Sequence, residues 1–330
     1  MKIAILGAGS WGTALGKVLH ENGSKVLLWH LEADFSKKLN QNHEHPFLPG
    51  ISLSKELCFT ASIDEILEFG DMMVSALPSQ VIRTMLNKFP VGWRKPIVSV
   101  SKGIENNTGM RMSQVIIEKL ALSERKVVIL SGPSHAEEVA QKSPTAVVAA
   151  CADIDHAREI QKLFSNEYFR VYASTDVAGV EFGGAAKNII ALAAGICNGL
   201  GFGDNTIAAL VTRGMEEIVR LGIVLGAERS TFSGLSGVGD LVVTAFSPHS
   251  RNRQVGTRIG KGEKLQDILS SMEMVAEGVE TTRSMYFLSK KHNIEMPICG
   301  QIFKVLFEDV SPRQAILDLM DRELVDEHPV

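Results

Sequence analysis

Several short segments of this chain carry residues able to bind phosphate or move a proton. Gly7-Ala8-Gly9-Ser10-Trp11-Gly12 is a G-x-G-x-x-G run. Its first glycine permits a tight turn, its second lets a pyrophosphate approach the backbone, and its third lets the next helix pack on the strand. The diphosphate then sits at the positive end of that helix. The run follows an apolar stretch and opens a helical one, the context the motif needs. Further along, Lys187 in Gly183-Gly184-Ala185-Ala186-Lys187-Asn188 is the one charge ahead of a long apolar run. The glycines predict a helix that begins here, with Lys187 in its first turn. Desolvation and the positive helix end would both lower its pKa, toward the range useful for proton transfer.

Two more places add polar groups. Gly237-Val238-Gly239-Asp240 is a glycine turn presenting one carboxylate, and Ser247-Pro248-His249-Ser250-Arg251-Asn252-Arg253 packs hydroxyl, amide and guanidinium donors together. A guanidinium fork beside an amide matches a phosphate, although such a stretch alone reads as a solvated loop. Ser101-Lys102-Gly103 and Ser131-Gly132-Pro133-Ser134 each follow an apolar run at its carboxyl end, where open α/β sheets bind ligands. Two lysines, an aspartate and a phosphate clamp beside a nucleotide motif suggest hydride transfer involving a small phosphorylated carbonyl compound.

The elements that must position these groups are legible as alternation. Ile3–Leu6, Val26–Trp29, Met72–Ala76, Ile97–Val100 and Val127–Leu130 are short continuous apolar runs, as expected of strands buried on both faces of a parallel sheet. Thr145–Ala150 and Phe169–Ala173 add strands at the far edge. Helical spacing fills the intervals, as in Thr13–Glu21 and Ser113–Leu120. After Gly184 helical patterns take over, from Lys187 to Leu225 and from Thr281 onward. The expected fold class is α/β: an N-terminal Rossmann-like doubly wound sheet over residues 1–186, followed by an all-α C-terminal domain over residues 187–330 that carries substrate and catalysis. No linker, repeat or low-complexity tract separates the two.

Composition sets outer limits. The chain has 330 residues, with 34 Lys and Arg against 38 Asp and Glu, so its net charge of −4 argues against a nucleic-acid footprint. At 45% hydrophobic and 22% charged it has a globular composition. Its four cysteines are far apart and form no C-x-x-C pair, which points to neither a disulfide framework nor a metal site and fits a reducing cytoplasm. No membrane partner is expected, because the stretch Asn188–Gly203 is broken by two Asn and four Gly. MKIAILGAGS does not read as a signal peptide.

Cofactor choice turns on the end of the second strand, Lys25–Trp29. It is followed by His30, with Glu32 two residues beyond the strand end. An acidic residue closing that strand would favour NAD by bonding the ribose hydroxyl. A histidine tolerates a 2′-phosphate, so NADPH is favoured with NADH also usable.

In order along nearly the whole chain, the sequence resembles the bacterial-type NAD(P)-dependent glycerol-3-phosphate dehydrogenases. The segments that carry the likeness are GAGSWGTALG (Gly7–Gly16), SKGIE (Ser101–Glu105), SGPSHAEEVA (Ser131–Ala140), PTAVVAA (Pro144–Ala150), EFGGAAKNIIALAAGICNGLGFGDN (Glu181–Asn205), LVTRG (Leu210–Gly214), SGVGDLVVT (Ser236–Thr244), SRNRQVG (Ser250–Gly256), VAEGVETT (Val275–Thr282) and EMPI (Glu295–Ile298). The resemblance implies reduction of dihydroxyacetone phosphate to sn-glycerol 3-phosphate for phospholipid synthesis, and a homodimer. It implies that Lys187 is the general acid or base, with Lys102, Asp240, Thr244 and Asn188 around it. Arg251 and Asn252 would grip the substrate phosphate, helped by Ser250, Gly132 and Ser134. Ser10, Trp11, His30, Ala136, Val275 and Glu277 would line the cofactor site with Gly7, Gly9 and Gly12, and Lys102 and Arg251 would also border it. His30 departs from the arginine or other polar residue common there, and Ser134-His135 departs from the more usual Ser-Gly-Pro-Thr-Phe-Ala wording.

Two other readings compete. A β-hydroxyacid or 6-phosphogluconate type dehydrogenase would separate lysine and asparagine by several residues on the catalytic helix, whereas Lys187 and Asn188 are adjacent. A redox-sensing regulator would need neither a buried lysine nor the Ser250–Arg253 clamp.

Overall fold

A computed structural model describes residues 1–327. The first half alternates strand and helix: β1 (Lys2–Leu6), α1 (Ser10–Glu21), β2 (Lys25–Trp29), α2 (Ala33–Asn42), β3 (Cys58–Thr60), α3 (Ile63–Phe69), β4 (Met72–Ser75) and α4 (Ile82–Leu86). It continues with β5 (Ile97–Ser99), α5 (Met112–Leu120), β6 (Val127–Ser131), α6 (Ala136–Ala140), β7 (Thr145–Ala150), α7 (Ile154–Phe164) and β8 (Phe169–Ser174). The eight strands form one sheet in the order β3-β2-β1-β4-β5-β6-β7-β8. Every neighbouring pair is parallel except β6 with β7.

The strand residues alternate between two apolar layers. Ile3 and Ile5 face Leu15 and Leu19 of α1 and Ile160 and Phe164 of α7. Ala4 and Leu6 face the other layer, with Ile66 of α3, Leu86 of α4 and Val115 of α5. Burial on both faces explains why these strands read as continuous apolar runs. The doubly wound N-terminal sheet expected from the sequence is present. The strand β3 was not anticipated, because three residues give no periodicity.

The second half is helical: α8 (Val177–Gly199), α9 (Asp204–Val224), α10 (Arg229–Phe232), α11 (Asp240–Phe246), α12 (Arg251–Gly260), α13 (Leu265–Ser270), α14 (Glu277–Lys291), α15 (Pro297–Phe307) and α16 (Pro312–Met320). The helical pattern from Lys187 to Leu225 is therefore two helices, broken at Leu200–Gly203, where Gly201 adopts φ +81°. By length and composition α8 could cross a bilayer, yet its whole apolar window is buried inside the protein. It is the central post of the helical half, starting at Asp176, whose carboxylate accepts from Gly179 N and ties the helix to Glu228 N and Thr231 Oγ1.

Two features of α8 correct the sequence reading. The helix begins ten residues before Lys187, so Lys187 lies in its interior and feels no helix-end charge. Gly183 and Gly184 are helical and do not start the helix. A Cβ at Gly183 would stand 2.6 Å from Ser236 O, and one at Gly184 would stand 2.4 Å from Ser131 Oγ. Close packing, and no turn, is what requires glycine there. Further along, α8 crosses α12 on four glycines. A Cβ on Gly195 would meet Arg253 O at 2.1 Å, and one on Gly256 would meet Leu192 O at the same distance. Gly199 and Gly260 continue the contact one turn on.

Candidate active site

The carboxyl ends of β1, β4, β5 and β6 open onto one crevice, and the helical half closes it. Strand order reverses between β1 and β4, which is where such sheets bind ligands. After β1 the chain turns at Gly7, with φ +110°, and its Cα sits so close to Ala76 that a Cβ would be 2.7 Å from the Ala76 carbonyl oxygen. Gly12 packs against Gly7 O with no room for a side chain. Beside Gly9 the space is open, with nothing within 4 Å of a Cβ position. Helix α1 starts at Ser10 with no side-chain cap and no acidic residue in its first turn. Its first N–H groups are thus free to hold an anion, and the loop fits a dinucleotide pyrophosphate.

At the adenosine corner, His30 follows β2 directly. Its Nδ1 accepts from Glu32 N at 3.1 Å, and its ring lies 4.2 Å from that of Phe35. Glu32 is exposed and starts α2. No carboxylate closes β2, in keeping with the use of either nicotinamide cofactor.

The charged centre is built from three elements. Lys102, beyond β5, donates to Asp240 Oδ2 and to Gly132 O, each at 2.8 Å, and lies 3.4 Å from Ser134 Oγ. Lys187, from the middle of α8, donates to Asp240 Oδ1 and, at 2.7 Å, to Thr244 Oγ1. Thr244 in turn donates to the Asp240 backbone carbonyl. Asp240 is 1% exposed and Lys187 is 5% exposed, so one buried carboxylate faces two ammonium groups. The kinked turn at Leu235–Gly239, with Gly237 outside helical geometry, delivers Asp240 against α8. Burial is the main cause that pushes Lys187 down to about 7. Asp240 opposes that shift, and the Lys102 charge reinforces it.

The donor-rich segment of α12 divides its labour. Asn252 is buried, donating to Asn188 Oδ1 and accepting from Gly278 N, both at 2.9 Å. Ser250 caps α12, its hydroxyl accepting from Arg253 N. Arg251 is solvent-exposed and donates to Val275 O at 2.7 Å. Glu277, the first residue of α14, accepts from Ser79 N and Ser79 Oγ at 2.8 and 2.5 Å, and burial raises its pKa. Gly103 fits beneath this pair, where a Cβ would be 2.3 Å from Ser79 Oγ. Ala136 begins α6 at the end of the Gly132–Ser134 loop. The structure thus gathers Lys102, Gly132, Ser134, Lys187, Asp240 and Thr244 into one hydrogen-bonded cluster and Asn188 with Asn252 into a second, which follows Lys187 on α8 and lies next to Arg251 and Glu277 in the chain.

Two groups at this site were missed from the sequence. Ser79 carries no motif, and only its position after β4 could have flagged it. His45 is 2% exposed, bonds the Ala8 carbonyl through Nε2 at 3.0 Å, and braces the glycine loop. A lone histidine in a loop gives no such signal.

The chain matches the model of the NAD-dependent glycerol-3-phosphate dehydrogenase N-terminus over residues 2–157, and that of the C-terminus over residues 176–317. It is 48% identical to a glycerol-3-phosphate dehydrogenase [NAD(P)+] of Chlorobium phaeobacteroides over 327 residues, covering 98% of each chain. A counterpart from Citrifermentans bemidjiense is 49% identical, again over 98% of both. Among solved structures, glycerol-3-phosphate dehydrogenase from Coxiella burnetii superposes with a TM-score of 0.90 at 36% identity, over 97% of this chain and 98% of that one.

Proposed function

The chain belongs to the NAD-dependent glycerol-3-phosphate dehydrogenase family and is an oxidoreductase that uses NAD(P), and from that premise we propose which residues carry the reaction between dihydroxyacetone phosphate and sn-glycerol 3-phosphate. The observation that supports this assignment best is Asp240, buried and shared by Lys187 and Lys102 at the carboxyl edge of the sheet. A reduced nicotinamide cofactor held at the Gly7–Gly12 loop would supply the hydride for the carbonyl carbon. Lys187 Nζ, as ammonium, donates a hydrogen bond to the carbonyl oxygen and gives up a proton as negative charge develops there. In the reverse direction the neutral amine takes the hydroxyl proton. Asp240 orients both ammonium groups, Thr244 fixes the Lys187 rotamer, and Lys102 adds positive charge near the developing alkoxide. Asn188 and Asn252, bonded to each other, hold the substrate backbone between α8 and α12. Arg251 takes the phosphate, with the Gly132–Ser134 loop and Ser250 nearby.

The sheet half, residues 1–186, is assigned to the dinucleotide and residues 187–330 to substrate and catalysis, with α8 spanning the division. The resemblance further supports a homodimer that acts in the cytoplasm and feeds phospholipid synthesis, and four free cysteines fit a reducing compartment. The basic test is loss of nicotinamide absorbance when dihydroxyacetone phosphate is added to protein and NADPH. No loss with either NADPH or NADH would overturn the assignment.

Activity should depend on pH in opposite senses for the two directions. With Lys187 near 7, the ammonium fraction falls as pH rises through that value. Reduction needs ammonium, so its kcat/KM should drop roughly tenfold per unit well above pH 7. Oxidation needs the amine and should climb to a plateau over the same range. Rates from pH 5.5 to 9.5 that stay flat in both directions would remove Lys187 from the proton path.

Arg251→Ala should weaken substrate binding by about 1.5–3 kcal/mol, the worth of a hydrogen bond to a charged group. That is roughly ten- to over one-hundredfold. Kinetics with dihydroxyacetone phosphate and with dihydroxyacetone separate the phosphate from the chemistry. Wild type should prefer the phosphate strongly, and the variant should lose most of that preference. An unchanged ratio returns the segment to being a solvated loop.

NADPH should serve at least as well as NADH. His30→Asp places a carboxylate at the end of β2 and should shift preference toward NADH by like-charge repulsion. Strong discrimination against NADPH by the unaltered protein would mean that Glu32 reaches the ribose.

A further inference from the structure

One polar atom at the site takes no part in that chemistry. His135 is the N-cap of α6, and its Nε2 is buried with no hydrogen-bond partner among the described residues. Its predecessor Ser134 donates to Gly132 O and lies 3.4 Å from Lys102 Nζ. On its other side the His135 ring is 5.9 Å from that of His249. His249 immediately precedes Ser250 and Arg251, where α12 begins. His135 therefore follows a residue of the lysine–aspartate cluster in the chain and packs near the residue that precedes the start of α12. A buried polar atom without a partner calls for an explanation, a functional role or an absent water or ion among them, and this one lies beside residues of the site.

We propose that His135 is a substrate-binding residue, whose neutral imidazole donates from Nε2–H to a phosphate oxygen of the bound substrate beside Arg251. This rests on the reading of the α12 start as the phosphate end of the site. Burial, together with the charges of Lys187 and Lys102, holds the ring below the usual histidine range, against the weaker pull of Glu138 and Glu137. With His249 alongside, these are the titratable groups that face it. A neutral imidazole keeps one N–H, and the tautomer that carries it on Nε2 turns the unpaired atom into a donor. Arrival of a phosphate dianion satisfies that donor and counters the two lysines, so substrate binding draws the ring's pKa upward.

His135→Phe keeps the ring shape and deletes the donor, and it restores the phenylalanine of the usual Ser-Gly-Pro-Thr-Phe-Ala wording. With NADPH present, the KM for dihydroxyacetone phosphate and the inhibition constant for inorganic phosphate should both rise roughly tenfold, while kcat stays within about twofold. The KM for unphosphorylated dihydroxyacetone should not move. His135→Gln, which offers an amide N–H and does not titrate, should recover most of the phosphate affinity and flatten the pH dependence of KM below pH 7. An unchanged phosphate inhibition constant in His135→Phe overturns the assignment, as does an equal loss toward dihydroxyacetone. Calorimetric binding of inorganic phosphate to wild type and both variants decides the point independently of turnover. If wild-type protein failed to reduce dihydroxyacetone phosphate, the dehydrogenase reading would fall while the calorimetry still judged His135.

Discussion

Lys187→Ala should lose turnover by roughly 10²–10⁴-fold or more while binding NADPH almost as well as wild type. The side chain is buried, its ammonium meets only Asp240 and Thr244 among the described residues, and no element of the glycine loop leans on it. Deleting it removes the proton donor and leaves the cofactor platform standing. Lys187→Arg should fail nearly as completely, since a guanidinium does not release its proton near neutral pH. Stopped-flow absorbance gives the chemical step, and nicotinamide fluorescence gives cofactor affinity. Wild-type turnover in Lys187→Ala would place the proton source elsewhere, and the Asp240 cluster would revert to a structural ion pair.

Replacing Asp240 should be as severe, by a different route. The carboxylate is 1% exposed and is the counter-charge that two ammonium groups share. In Asp240→Ala two cations share a buried site with no counter-charge. Breaking a buried pair in this way costs about 3–5 kcal/mol, a large part of the roughly 5–15 kcal/mol that holds a typical protein folded. The protein can escape part of this by releasing the Lys187 proton. Below about pH 7 the folded variant then binds fewer protons than the folded wild type, whose Lys187 still carries its proton there, so the variant's deficit should narrow as pH rises toward 7 and stay constant above it. Denaturant midpoints at pH 6, 7.5 and 9 test this, and a deficit that is constant across them would mean the lysines are not the burden. Asp240→Asn keeps the shape and isolates the kinetic effect. Its Lys187 should titrate lower than in wild type, moving the fall in reduction rate to lower pH.

The local patterns of this chain survived the comparison with its structure better than the distant ones. Apolar runs such as Ile3–Leu6 and Val127–Leu130 became strands because both faces of the sheet are covered, a property each run displays by itself. The glycine loop was legible because Gly7 and Gly12 answer local steric demands, while Gly9 leaves open space beside the start of α1. Lys187 is buried, as an isolated charge in apolar surroundings suggests, but it lies inside α8 and not at the helix start expected for it. Glycine is disfavoured in helices by about 1 kcal/mol, so Gly183-Gly184 looked like a break. What offsets that cost is contact with Ser236 and Ser131, far away in the chain. Other buried carboxylates show the same limit. Glu181 of α8 takes bonds from Ser113 and Arg111. Glu217 of α9 accepts from the first N–H groups of α15, and burial pushes it up to about 7. In sequence each reads as an ordinary surface acid, since partners separated by 68 to 82 positions leave no periodic trace.

On the proposed assignment, the glycine crossing of α8 and α12 would also govern which molecules the site accepts. Lys187 and Asn188 ride on one helix, Arg251 and Asn252 on the other, and the two backbones touch at Gly195, Gly199, Gly256 and Gly260 with no side chains between them. Side chains at a helix crossing can change rotamer and let the helices slide, whereas a backbone-to-backbone seam has no such give. The spacing of the two backbones that carry Lys187 and Arg251 is therefore fixed by main-chain contact, and with those residues in their proposed roles it would gauge the distance between a carbonyl and a phosphate. Substrate length would then be measured by the spacing of two helices and not by the walls of a pocket. Point substitutions around the crevice would tune affinity, while accepting a longer sugar phosphate would require prising the helices apart.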